Sequence, residues 1–377
     1  MVIKRMSSCH NKRKQCGVAL ITVMLIVALA AIIAAQMTTR LQTQMQRSTN
    51  ISFNQQAYWY ALGAEAFTKR VLIKAFKDEP DVTHLEQIWA AEESNYPVDF
   101  GEISGGLSDL QSCLNLNALH PKAKTKAESE SGTDSPSSSA TDKNKTKSET
   151  ASSTGTRSST GNNSSSNKQL PAATVLEALI VNLNIEGIGN FEAEAMVNAL
   201  TDWLDSNDII TGSGGAEDND YASREFPYLA ANSYLGSVNE LRLIEHFTPA
   251  VILALTPYVC VLPQNAQHFI NINTLDAEKP ELLQALLGSS SSLEDAQEVL
   301  SARDSSGYGK VEDFLKLKEL TKIRLEKWQT KQFVIDSEYF KLKANARFNN
   351  SYFSMSSIMK VNESQQIQVI SRTIGRN

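Results

Sequence analysis

Gln15-Cys16-Gly17-Val18-Ala19-Leu20-Ile21-Thr22 closes a short basic leader at a glycine and opens an apolar run of membrane length. The leader carries Lys4, Arg5, Lys12, Arg13 and Lys14 and no acid, a bias that keeps it cytoplasmic and sends the rest of the chain outward. Across residues 18–37 the clearly polar side chains are Thr22 and Gln36, and about 20 residues at ~1.5 Å each cross the ~30 Å hydrocarbon core as one helix. A secretory signal places its apolar region before a small-residue cleavage site, whereas here the glycine comes first. Cleavage after Gly17 would leave the membrane helix on the mature chain, beginning at Val18. The plainer alternative is an uncleaved signal anchor.

Helical signals continue past the membrane segment through Arg40, Leu41, Met45, Tyr58, Ala61, Leu62, Phe67, Val71 and Leu72, and the first proline is Pro80. The pattern predicts a helix over residues 18–76, about 90 Å long. Its first half is apolar all round, and its second half is amphipathic and must lean on a globular domain. The 377 residues leave room for two compact domains, and a net charge of −6 argues against nucleic acid as the main partner. Residues 121–169 are Ser, Thr, Lys, Glu, Gly and Asn with almost no large apolar side chain; such a segment cannot bury enough surface to offset its ordering entropy and reads as a disordered linker.

After the linker, residues 172–204 read as one or two amphipathic helices interrupted near Gly187 and Gly189, and residues 240–258, 277–287, 293–302 and 310–320 as shorter ones. From Gln332 onward the period changes to two. Phe340, Leu342 and Ala344 alternate with Lys341, Lys343 and Asn345, and Asn349-Asn350 and Asn362-Glu363 punctuate the following runs as turns. This pattern predicts an antiparallel meander of about three strands.

In this order the segments resemble minor pseudopilin K of bacterial type II secretion systems, also called general secretion pathway protein K. The resemblance rests on Gly17-Val18-Ala19-Leu20, Tyr58-Trp59-Tyr60-Ala61-Leu62-Gly63-Ala64-Glu65, Asp109-Leu110-Gln111 and Leu114-Asn115-Leu116-Asn117. It is carried further by Asp202-Trp203-Leu204-Asp205, Gly215-Ala216-Glu217-Asp218, Ser237-Val238-Asn239-Glu240-Leu241-Arg242 and Ile272-Asn273-Thr274. It implies an α+β pseudopilin fold, a long N-terminal helix on a small antiparallel sheet, with a large mainly helical domain inserted between the strands. The chain then divides into a cleaved leader (1–17), the transmembrane half of the helix (18–38), the amphipathic half with the first strands (39–118), the inserted domain with its linker (119–330) and the C-terminal strands (331–377).

The resemblance further implies that a prepilin peptidase cuts after Gly17 and methylates the Val18 amine. It implies a non-enzymatic subunit of the bacterial inner membrane, its C-terminal domain periplasmic, at the tip of a pseudopilus with minor pseudopilins I and J and the major pseudopilin. Most pilin-like proteins carry glutamate as the fifth mature residue; here that position is Thr22. A buried carboxylate without a partner amine costs several kcal/mol, so a neutral residue fits a subunit with no neighbour above it.

Asp202, Asp205, Asn207, Asp208, Glu217, Asp218, Asn219 and Asp220 cluster around Gly212, Gly214 and Gly215. Calcium takes about 6 to 8 oxygen ligands, but this spacing is not that of an EF-hand, and clustered acids also serve simply as solvated surface. The family resemblance favours calcium, with Asp205, Glu217, Asp218 and Asp220 as candidate ligands. Of the four cysteines, Cys9 and Cys16 lie in the leader, leaving Cys113 and Cys260 as a disulfide or as two buried thiols. His84, His120, His246 and His268 share no metal-ligand or catalytic spacing. The Gly187-Ile188-Gly189 turn suggests a helix-hairpin-helix DNA module, but acids surround it. The rival readings are a type IV pilus minor pilin, a membrane-anchored DNA-uptake receptor and a membrane-tethered enzyme.

Overall fold

The computed structural model describes residues 18–91, 94–121, 170–362 and 364–375. Gly17, the predicted leader and residues 122–169 of the predicted linker lie outside the described residues. Helix α1 runs unbroken over Val18–Asp78. Its apolar N-terminal stretch is bare, every residue from Val18 to Asn50 being exposed. Farther along, Ala57, Ala61, Glu65, Leu72, Ala75 and Phe76 are buried, a spacing that returns to one face of the helix about every turn.

That face lies on a five-stranded sheet. Strands β1 (Ser94–Val98) and β2 (Gly101–Asp109) form a hairpin, and two parallel two-residue bridges follow later in the chain. The first joins β3 (Leu114–Asn115) to β4 (Val259–Cys260); the second joins β5 (Ile270–Asn271) to β6 (Phe333–Val334). Strands β7 (Tyr339–Phe348), β8 (Ser351–Val361) and β9 (Ile367–Ile374) complete the sheet in the order β1-β2-β7-β8-β9. Every neighbouring pair in it is antiparallel. The period-two reading fits: Phe340, Leu342, Ala344 and Ala346 are buried beneath α1 with Met355 and Met359 of β8. The β1–β2 hairpin lies within the 39–118 segment where the resemblance implies the first strands, but the residue pattern gave it no bounds because Gly101, Gly105 and Gly106 erase its alternation.

Strands β2 and β7 are hydrogen-bonded neighbours from Gly101↔Phe348 to Asp109↔Phe340. The chain therefore leaves the sheet after Asp109 and re-enters at Tyr339, with a mainly helical unit between. That unit contains α2 (Pro171–Asn182), α3 (Asn190–Leu204), α4 (Asp218–Ala222), α5 (Pro249–Leu255), α6 (Pro280–Leu287) and α7 (Leu293–Ser301). The short helices α8 (Val311–Leu315), α9 (Lys318–Thr321) and α10 (Lys327–Lys331) close it. Its apolar core takes in Leu114, Leu116 and Leu119 at one end and Phe333 at the other, so the unit is wider than the 119–330 expected. One expected helix, 240–258, is instead a 3₁₀ turn over Val238–Leu243 followed by α5. Thr248 accepts the Val251 N–H and Pro249 opens the new helix.

The neck between sheet and insertion is polar and cross-linked. Buried Asp109 accepts hydrogen bonds from Thr274 Oγ1 (2.5 Å), Ser337 Oγ (2.6 Å) and the Gln111 N–H (2.7 Å). Asn271 Nδ2 donates to Ser337 Oγ at 2.8 Å and to Thr83 O at 3.1 Å, joining the segment that follows α1 to the neck. Cys113 and Cys260 form a disulfide with Cα atoms 5.8 Å apart and a sequence separation of 147. The asparagines of Leu114-Asn115-Leu116-Asn117 turn out to be stitches. Asn117 Nδ2 donates to Leu235 O and Leu262 O, both at 3.0 Å, and its Oδ1 accepts the Leu235 N–H at 2.8 Å.

Candidate functional site

The acidic loop is built between the end of α3 and α4. Trp203 packs edge-on against Tyr221 with ring centroids 5.2 Å apart, Tyr221 stacks on Tyr228 at 5.4 Å, and the Arg224 guanidinium lies over both rings. This aromatic floor fixes the short helix α4 against α3, and with it the two acidic clusters. Asp202, fully buried, accepts the Thr211 N–H at 3.0 Å. Gly215 must be glycine, since a Cβ there would meet Asp202 Oδ2 at 2.3 Å and Thr211 O at 2.5 Å. Gly214 holds φ at +79°, a left-handed conformation that disfavours side chains.

Each acid in the loop has a different role. Asp205 Oδ1 accepts the Asn207 N–H (2.9 Å), Asp218 Oδ1 the Ala230 N–H (2.9 Å) and Asp220 Oδ2 the Glu217 N–H (3.0 Å), which caps α4. Glu217 is buried, and neither of its carboxylate oxygens has a hydrogen-bond partner. Its carboxyl is pushed up to about 7, first by burial and then by the negative charges of Asp202, Asp205, Asp208 and Asp218. Burial likewise raises the Asp202 carboxyl, with Asp205 adding to it against the Thr211 hydrogen bonds. The loop thus concentrates negative charge around one orphaned carboxylate. Among the described residues no group of three or more His, Cys, Asp or Glu side chains is gathered to hold a metal ion. Asp202 and Asp208 act on Glu217 although neither was singled out as a candidate ligand; the signal for Asp202 was its place three and seven residues after Ala199 and Ala195 on one face of α3.

The histidines stand apart from one another in their surroundings. His84 Nε2 is 2.6 Å from Glu79 Oε2, His246 Nε2 is 2.9 Å from Gly214 O, and His120 stacks on Tyr234. His268 Nε2 meets Gln332 Oε1 at 2.9 Å, and burial pushes its ring down to about 4. The Gly187-Ile188-Gly189 turn is closed by a carboxylate of its own, and so is the turn before α7. The Gly189 N–H, at the start of α3, donates to Glu192 Oε2 at 2.9 Å, and the Ser292 N–H, before α7, donates to Asp295 Oδ2 at 2.9 Å. A phosphate-binding hairpin would offer these donors to its ligand.

At the apolar end of the long helix, Val18 is the first residue of α1, and Thr22 donates its hydroxyl to Ala19 O at 2.9 Å. The side chain at this fifth position after Gly17 therefore satisfies itself within the helix.

Residues 112–264 and 270–336 match two family models, both described as type II secretion system protein K. Type II secretion system protein K of Dickeya chrysanthemi is 37% identical over 364 residues, 96% of this chain and 98% of that one. The chain belongs to the type II secretion system protein K family. The Aeromonas hydrophila protein K is 34% identical over 303 residues, covering 80% of this chain and 79% of that one. The fold is also that of a solved chain in the GspK-GspI-GspJ complex from the enterotoxigenic Escherichia coli type 2 secretion system. That match has a TM-score of 0.68 at 26% identity and covers 88% of this chain and all of the other. Protein K family membership and the long helix on an antiparallel sheet make the chain a pseudopilin of the type II secretion machinery. Among the described residues it has one helix long and apolar enough to cross a membrane.

Proposed function

We propose that this protein K is the tip subunit of the pseudopilus, a non-enzymatic minor pseudopilin that initiates or caps assembly and supports export of folded proteins across the outer membrane. The observation that carries the reading is the combination of a bare apolar helix with a bulky unit inserted between β2 and β7. Residues 18–37 hold the subunit in the inner membrane and then pack among like helices, while the inserted unit obstructs addition of a further subunit above it. The domain beyond the helix faces the periplasm. A prepilin peptidase cuts after Gly17 and methylates Val18, and neutral Thr22 suits a subunit with no neighbour's amine to meet. Similarity to a chain crystallised with GspI and GspJ supports minor pseudopilins I and J as partners, with the major pseudopilin below. One face of α1 is taken up by its own sheet, so partners meet the other, where Trp59 is 63% and Phe67 55% exposed. Co-purification with minor pseudopilins I and J tests the reading: failure to form any complex would sink it, and tight DNA binding would favour the uptake receptor.

The acidic loop is proposed to hold calcium. The hard oxygen donors and the orphaned, buried Glu217 suit such an ion by chemistry, and binding would have to draw the acids, which are not gathered in the structure, around it. Asp205, Glu217, Asp218 and Asp220 are the candidate ligands, with Asp202 and Asp208 adding negative charge. A bound cation would relieve the repulsion around Glu217 and tie α3 to α4. Binding to the folded state alone raises stability by about 2.7 kcal/mol at a hundredfold excess over Kd. Thermal melting with calcium and with chelator should therefore separate by several degrees, and coincident curves would remove calcium from the account.

A further inference from the structure

We propose that Arg40 grips a phospholipid phosphate in the leaflet facing the globular part of the chain and so sets the depth at which the subunit waits in the membrane. The inference rests on the membrane-anchor reading of residues 18–37. Arg40 stands 22 residues beyond Val18 on an unbroken helix, ~33 Å along its axis. The hydrocarbon core is ~30 Å thick, with the headgroup layer beginning at its edge. The guanidinium therefore emerges at the level of the phosphates.

Among the described residues nothing competes for it. The first acidic residue in the whole sequence is Glu65, and Arg40 has no ion pair or hydrogen bond among the described residues. The neighbouring hydroxyls are already committed: Thr38 donates to Ala34 O (2.9 Å), Thr39 to Ala35 O (3.0 Å) and Thr43 to Thr39 O (3.0 Å). Gln36, Arg40, Gln44 and Arg47 lie along one side of α1, so the free donors form a stripe that leaves the apolar segment at Gln36. Arginine's planar fork binds phosphate oxygens through two parallel hydrogen bonds. Arg47 lies seven residues farther along the helix, ~10 Å beyond Arg40, and clears the headgroups, which makes it an internal control on the same stripe.

The test is solid-state NMR of the full chain in phosphatidylethanolamine–phosphatidylglycerol vesicles, reading dephasing of arginine side-chain nitrogens by lipid phosphorus. Leader arginines are replaced (R5K, R13K) so that they do not contribute. Arg40→Gln should abolish the dephased arginine signal and Arg47→Gln should leave it. Flotation with the vesicles is measured on the same samples. A chain that fails to float overturns the membrane anchor itself. A chain that floats with no dephased signal, or with one that survives Arg40→Gln, overturns only the phosphate contact. In the latter cases, loss of pseudopilin binding on Arg40→Gln would assign the guanidinium to a partner's carboxylate.

Discussion

Asp109 keeps a carboxyl at the neck where water does not reach. Burial drives it up to about 6, although Ser337, Thr274 and the Gln111 N–H all donate to it. An unfolded aspartate titrates near 3.8, so between these values the folded state binds the extra proton. Stability from this group is therefore fully present below about pH 4, falls as pH rises through about 6 and is level above. The span is about 3 kcal/mol at one pKa unit per ~1.4 kcal/mol. Asp109→Asn should flatten this fall. Urea unfolding at pH 4, 5, 6 and 7 should show the wild type losing roughly 1–3 kcal/mol more than the variant; parallel slopes would mean that water reaches the group. Glu65 shows the opposite balance. Burial would raise its carboxyl, but Arg372 donates two bonds of 2.9 Å and Ser357 one of 2.7 Å, leaving it below its ordinary value. Neither carboxylate's structural role was legible in the sequence, because their partners lie far away along the chain, Ser337 for one and Arg372 for the other.

Helix α1 was legible almost to the residue, since one uninterrupted run with no early proline leaves few alternatives. The three C-terminal strands followed from their alternation, and α2, α3, α6 and α7 from their helical periodicity. What the sequence concealed was the seam between α1 and the sheet. Ala57 and Ala61 lie against Ala346 and Met355, and all three alanines are completely buried. Small residues on both sides let the helix backbone approach the strands closely, and such a seam has no room to expand. Ala61→Leu should destabilise the fold by about 1–3 kcal/mol through overpacking, whereas Phe67→Ala, on the exposed side of the same helix, should cost less. Thermal unfolding of the two variants in detergent checks the order, and a harmless Ala61→Leu would mean that the seam can open. The candidate metal loop was half legible. Its acids and glycines announce themselves by composition, but that Glu217 is buried without a partner among the charges of Asp202, Asp205, Asp208 and Asp218 is a result of packing that composition does not show.

At the scale of the whole molecule, the insertion is secured at its base by contacts that bridge large gaps in sequence. Leu116 and Leu119 enter the helical core from before residues 122–169, and α2 enters it immediately after. The Cys113–Cys260 disulfide spans the same gap. In the chain-entropy view a closed loop of this length is worth on the order of 5 kcal/mol, less any native-state strain. A break in the polypeptide between the two cysteines should therefore separate neither the halves of the fold nor, until the disulfide is reduced, the two fragments. Trypsin supplies the break, because Lys122, Lys124, Lys126, Lys143, Lys145, Lys147, Arg157 and Lys168 lie in a stretch whose composition offers almost no large apolar side chain to a core. Brief digestion should give one band on a denaturing gel without reductant and two with it, while circular dichroism of the nicked protein stays that of the intact chain. Cys113→Ser should yield the two bands without reductant. Fragments that part on the non-reducing gel in the wild type would rule out the disulfide, and loss of the circular dichroism signal on nicking would rule out a helical core able to hold together across the gap.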